Sequence, residues 1–245
     1  MSIIESSRIW FSTHDQFNDP FDCLPAYKIS ASPAEVQRYI RRLLQRNAAG
    51  DRNSRRRKAS SILSITEHRR AFEANIQISA KKIVGEVAIL SLSSDPSHVL
   101  MWSHYADSHG GLCLRFKRGG ARNFFSFANP VIYSDKRPVY DRVRDGDEVI
   151  VDKLLLAKAA FWSYEQEWRV LVHPEQYFYP PGGNGLVRFP SHVLDGIIFG
   201  AKTPLDNIRQ IISRVRQVGL SLQYYKAEIN DERYVLNIFD LDPSI

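Results

Sequence analysis

An α+β fold is the class this chain predicts, and three observations predict it. Helix-period patterns dominate the early part of the chain, and strand patterns dominate the later part. The composition is that of an ordinary globular protein, 44% hydrophobic and 24% charged over 245 residues, so a core of normal size is expected without a disulfide or metal framework. The expected architecture is a single domain. Its central β-sheet is mainly antiparallel, whole or split, and is flanked by helices, with a basic helical insert around residues 33–82.

Taken in order, Arg8 to Ser12 reads as a short strand and Asp15 to Pro25 as a loop rich in Asn, Asp and Pro. Ser32-Pro33-Ala34-Glu35 is a helix start: Ser32 caps, Pro33 suits the first helical position and Glu35 closes a capping box. The helix carries Val36, Tyr39, Ile40, Leu43 and Leu44 on one face and stops near residues 47–50. A second helical region, roughly residues 59–82, has a patchy apolar face of Ile62, Ile65, Phe72 and Ile76. Residues 84–93 read as a buried strand, 97–106 as a short helix or turn, 112–116 as a strand, 131–133 as a further strand candidate, and 148–162 as a helix. Strands follow at 168–172 and 194–200, with a turn cluster at 180–185 between them. A helix after Pro204 carries Ile208, Ile211, Ile212 and Val215, and two strands, 220–229 and 234–239, finish the chain.

Cys23 and Cys113 are the only cysteines and are read as reduced thiols. No secretory signal is visible, and no stretch approaches the roughly 20 apolar residues that span a bilayer, so a cytoplasmic setting is expected. The net charge of +6 is uneven. Residues 38–58 hold nine basic side chains and one acid, Asp51, a balance of +8 that leaves the rest of the chain at −2. Within that window Arg41, Arg42, Arg55, Arg56, Arg57 and Lys58 are candidates for nucleic-acid contact. A solvated helix face is the competing reading, because no aromatic interleaves the arginines.

Three segments concentrate chemistry. Phe17-Asn18-Asp19-Pro20-Phe21-Asp22 is either an Asx-type turn pinned by aromatics or a ligand-lining loop. In the second case Asn18 and Asp19 supply hydrogen bonds and Phe21 a stacking surface. Met101 to Gly111 gathers hydroxyls, imidazoles and a carboxylate. His104 and Tyr105 read as a pair that positions a polar substrate, or as a structural helix end. The five-residue spacing of His104 and His109 does not put both on one helical face, so no metal is expected. Glu165-Gln166-Glu167-Trp168-Arg169 sets two acids at alternate positions before a strand, where both carboxylates can point to one face. An exposed strand start with Arg169 pairing a carboxylate is the competing reading.

Together and in this order, the segments resemble the bacterial domain of unknown function 2971. The residues that carry the resemblance are Phe11-Ser12, Phe17 to Asp22, Ser91-Leu92-Ser93, Met101 to Gly110, Glu165 to Arg169 and Ile197 to Gly200. That family name supplies no activity. More distantly, Arg8, Ser91-Leu92-Ser93 and Glu165-Gln166-Glu167 are similar in order to ADP-ribosyltransferases of the arginine-serine-glutamate type. This second resemblance implies an ADP-ribosyltransferase-like fold and NAD as substrate. Glu167 would stabilise charge on the ribose, Glu165 would orient or deprotonate the acceptor, and Arg8 would grip the pyrophosphate. Ser91 and Ser93 would brace the glutamate and the ribose, Ser12 would be a further cofactor-binding residue, and Tyr105 or Phe21 would stack on nicotinamide. It also implies a place in bacterial conflict or phage defence. Two departures stand beside it: Phe161, Trp162 and Tyr164, just before the two glutamates, read as a helix end, and Arg8 lies very near the start of the chain. The alternatives are a non-catalytic nucleotide or nucleic-acid binding module, and a metal-dependent nuclease or hydrolase using His104, Asp107, His109, Glu165 and Glu167.

Overall fold

The computed structural model describes residues 3–47, 50–64, 66–120, 123–146 and 148–245. The first half of the chain runs α1 (Ile3–Ser6), β1 (Arg8–Phe11), β2 (Ala26–Tyr27), α2 (Pro33–Arg46), α3 (Arg52–Ser64), α4 (Thr66–Gly85), β3 (Ala88–Ser93), α5 (Val99–Tyr105) and β4 (Leu112–Phe116). The second half runs β5 (Asn129–Pro130), β6 (Ile132–Ser134), β7 (Val139–Tyr140), α6 (Glu148–Ile150), β8 (Ala157–Ala159), β9 (Glu167–Val172), β10 (Gly185–Arg188), β11 (Leu194–Phe199), α7 (Leu205–Gln217), β12 (Gln223–Ile229) and β13 (Leu236–Asp240). The class is α+β, with several small, mostly antiparallel sheets. No helix among the described residues is long and apolar enough to cross a membrane.

The chain divides into two compact units. The first comprises Met1–Thr13, Val87–Val131 and Ala160–Ile245. Its largest sheet has the order β13-β12-β11-β4. Here α7 crosses between the parallel strands β11 and β12 and buries Ile208, Ile212 and Val215 against Ile197, Phe199 and Tyr224. A second sheet, β3-β9-β5, is antiparallel throughout, and β1 pairs antiparallel with β10. A bridge between Ser12 and Ile89 joins the end of β1 to β3. Strand alternation sorts these side chains into two faces. Phe11, Ala88, Leu90, Val170, Val172 and Val187 form an apolar core on one face. The opposite face receives Arg8, Trp10, Ser12, Ser91, Ser93, Glu167 and Arg169, by the same alternation and register.

The second unit comprises His14–Glu86 and Ile132–Ala159. It holds α2, α3 and α4, the basic helical region expected from the sequence. Ser32 and Glu35 form a reciprocal capping box at the start of α2. Ala31, Val36, Ile40, Ala59, Ile76 and Val143 make this unit's core, with Tyr39, Leu44, Ile62 and Phe72 packed on it; Ile65 lies outside the described residues.

Several boundaries differ from the sequence pattern. The second helical region is two helices, and the first of them begins at Arg52, inside the arginine run. The strand expected at 84–93 starts at Ala88, because α4 continues to Gly85. The helix expected over 148–162 is broken. After α6 and one wide π-turn at Val151–Leu155, Ala157–Ala159 pair in parallel with β6, and Ala160–Glu165 form a 3-10 turn. Pairing with a strand distant in sequence overrides the local helical preference there.

Candidate functional site

Two buried glutamates define the site, and each is held by a different device. Glu167 opens β9 in register with Ser93 on β3, and Arg169 lies opposite Ser91. Arg169 and Glu167 are two residues apart on one strand, so their side chains share a face. The Arg169 Nε donates to Glu167 Oε1 at 2.8 Å and a terminal guanidinium nitrogen donates to Oε2 at 3.0 Å, a two-point ion pair. Both are buried, Arg169 completely. The pairing foreseen for Arg169 is therefore present, in the interior instead of at an exposed strand start.

Glu165 reaches the same region by a different route from the simple alternation expected. It ends the 3-10 turn, and Gln166 between the acids is left-handed, with φ of 42°. Hydrogen bonds hold that conformation. The Gln166 carbonyl accepts from the Ser94 amide at 3.2 Å, and its side-chain amide donates to Asp95 at 3.4 Å. Gln166 is thus spent on the Ser94–Asp95 turn. Ser93 Oγ donates to the Glu165 carbonyl at 2.7 Å, and the Tyr105 phenol donates to Glu165 Oε1 at 2.8 Å. Tyr105 is itself 54% exposed, so an open aromatic face is fixed at its tip to a buried carboxylate.

The loop after α5 is tightly built. Asp107, Ser108 and His109 all have positive φ, at 48°, 49° and 74°. The next close approach needs glycine: a Cβ on Gly200 would sit 2.2 Å from the His109 carbonyl oxygen. The His109 ring meets Ser103 Oγ through Nε2 at 3.0 Å, while Ser103 Oγ donates to the Val99 carbonyl. The Ser103 proton being committed, the pair requires a hydrogen on Nε2, which leaves Nδ1 an acceptor; this atom is buried without a hydrogen-bond partner. Burial first, then the nearby Lys202 charge, lowers the His109 pKa below its ordinary value of 6.5.

Ser91, Ser93, Glu165, Glu167 and Tyr105 are thus gathered on one side of the β3–β9 pair. Arg8 is exposed on the same sheet face, four residues before the Ser12 bridge. His104 is exposed, its ring 6.2 Å from that of Tyr105. Asn18, Asp19 and Phe21 belong to the other unit. There Asp19 Oδ1 accepts from the Phe21 amide at 2.9 Å, an Asx-type turn, while its Oδ2 is buried without a hydrogen-bond partner. Phe21 is 60% exposed, with the Arg137 guanidinium 5.7 Å from its ring centre. Arg41, Arg42, Arg55 and Arg56 line a groove in that unit, and Arg57 and Lys58 line an adjoining cleft. Among the described residues no three His, Cys, Asp or Glu side chains are placed to hold a metal ion, so the set His104, Asp107, His109, Glu165 and Glu167 forms no such group. The sequence did not announce the bond from Tyr105 to Glu165 or the contact of Ser103 with His109. Both join residues through the fold; only the residue types were visible.

This is a site on one face of the β3–β9 pair, organised around buried acids. The family model described as Protein of unknown function (DUF2971) matches residues 101–170 of the chain. That stretch contains Tyr105, His109, Glu165, Glu167 and Arg169, while Arg8, Ser91, Ser93 and the Phe17–Asp22 segment fall outside it. No curated protein and no solved structure matches the chain.

Proposed function

We propose that the polar face of the β3–β9 pair is a nucleotide-sugar site, and that the chain transfers ADP-ribose from NAD. The observation that carries the reading is the position of Ser93, in register with Glu167 and bonded to the Glu165 carbonyl. The motif order Arg8, Ser91-Ser93, Glu165-Glu167 thereby becomes a spatial order, strand β1 beside β3 beside β9.

The chemistry follows from the groups present. Breaking the bond between nicotinamide and ribose sends its electron pair to nicotinamide and leaves positive charge on the sugar. A fixed carboxylate stabilises that charge without reorganising. Arg169 holds both carboxylate oxygens of Glu167 in a two-point pair. The guanidinium orients Glu167 toward the ribose hydroxyls. The acceptor then bonds to the sugar carbon and gives its proton to Glu165, which Tyr105 orients. The exposed ring of Tyr105 is the stacking surface for nicotinamide, and Arg8 meets the pyrophosphate.

The test is incubation of the purified protein with labelled NAD, alone and with DNA, RNA or cell lysate. Nicotinamide release that is lost in Glu167→Gln and Glu165→Gln, each checked for folding by circular dichroism, is the expected result. Unchanged turnover in folded Glu167→Gln removes that residue from the chemistry. Neither binding nor turnover of NAD under any condition overturns the reading.

A further inference from the structure

The groove between α2 and α3 combines shape with an unusual charge. It encloses about 920 Å³ and is lined by Arg38, Arg41 and Arg42 from one helix and Arg52, Arg55 and Arg56 from the next. No carboxylate and no aromatic side chain is on its walls. Among the described residues none of the six guanidiniums is in an ion pair with an acid within 4.0 Å. Asp51, the acid nearest in sequence, accepts from the Ser54 amide at 2.8 Å and is exposed.

These charges oppose the stability of the helices that carry them. Arg38 with Arg41 and Arg42, and Arg52 with Arg55 and Arg56, are like charges at three- and four-residue spacing, which repel on a helix surface. The second trio also fills the first turns of α3, where the helix dipole already presents its positive end. Arg41 and Arg55 each donate to a backbone carbonyl, of Gln37 and Gly50, but no acid on the groove's walls answers the six charges. A polyanion seated between the helices attracts every one of these charges and so offsets their mutual repulsion.

We infer that this groove binds the phosphodiester backbone of a nucleic acid, independently of base sequence. Guanidinium forks match phosphate oxygens in two-point hydrogen bonds. The absence of aromatic walls leaves no platform for bases, so the backbone is what is gripped. The charge also continues past the groove, through exposed Arg46, Arg57 and Lys58, as a track suited to an extended chain more than to a compact polyphosphate. The inference is independent of the transferase reading, since it rests on other residues in the other unit.

The experiment is fluorescence anisotropy of the full chain with labelled single-stranded and duplex DNA and RNA oligonucleotides of mixed sequence, between 50 and 200 mM salt. If six phosphates are met, log Kobs against log[salt] falls with a slope of about −4 on single strands. Arg42→Gln with Arg56→Gln weakens binding at least tenfold at low salt and flattens that slope by about 1.4, whatever the base sequence. Arg42→Lys with Arg56→Lys retains most of the binding, and circular dichroism shows both pairs folded. No binding at 50 mM salt overturns the inference. So does binding that the glutamine pair leaves unchanged, and so does tight binding of inorganic polyphosphate that no oligonucleotide displaces. Because no NAD enters this measurement, its failure says nothing about the transferase, and the converse holds.

Discussion

At the scale of single residues, the site depends on the buried Glu167–Arg169 pair. Two charges taken out of water are tolerated only while each answers the other. Arg169→Met is therefore expected to cost about 3–5 kcal/mol in urea unfolding, since it takes the guanidinium from a buried carboxylate. Adding Glu167→Leu to that variant recovers most of the loss, because an apolar pair has no charge to desolvate. His109 makes a second prediction at this scale. Its pKa in the folded chain lies below the ordinary 6.5, so the unfolded chain binds the extra proton first as pH falls. The stability in question is fully present above 6.5 and is lost as the pH falls toward the lowered value. Melting temperatures of the parent chain and His109→Gln, compared from pH 7.5 to 5, are expected to converge or cross on acidification, the parent losing more.

At the scale of elements, local rules and tertiary demands can be separated. The start of α2 was legible because capping is local: Ser32, Pro33 and Glu35 carry all of it. Ser32→Ala is expected to cost about 1 kcal/mol by chemical denaturation. Glu35 contributes with a definite sign. Hydrogen bonds from Arg144 first, then from Ser32, lower its pKa to about 2, so its contribution is complete above 4.5 and fades as the pH falls to about 2. The break at residues 151–160 was not legible, because β8 owes its existence to pairing with β6 and nothing local signals it. The end of β11 lies between these cases. Gly200 was visible as the close of an apolar strand, but its reason is the His109 carbonyl, brought there by the fold. Gly200→Ala forces backbone against side chain, and a loss of at least 1–3 kcal/mol is expected from the shift in melting temperature.

At the scale of the whole molecule, the net charge of +6 combines +8 in residues 38–58 with −2 in the rest of the chain. Replacing all six groove arginines by glutamine brings the formal charge to zero. The parent chain is expected to be retained on a cation-exchange column at neutral pH, and that variant to pass through. Retention of both would place the operative charge elsewhere.

By itself, the sequence determined the α+β class, the capped helix, the apolar strand at residues 194–199 and the residue types around both glutamates. These follow from periodicity, composition and short-range geometry, which neighbours in the chain fix between themselves. Tertiary structure alone decided that Glu167 is locked to Arg169 in the interior, that Ser93 and Tyr105 meet Glu165, and that two arginine rows face one groove. Those contacts join residues up to 72 positions apart, and their register depends on which faces the core buries. No local pattern encodes that choice, because burial is a property of the folded chain as a whole.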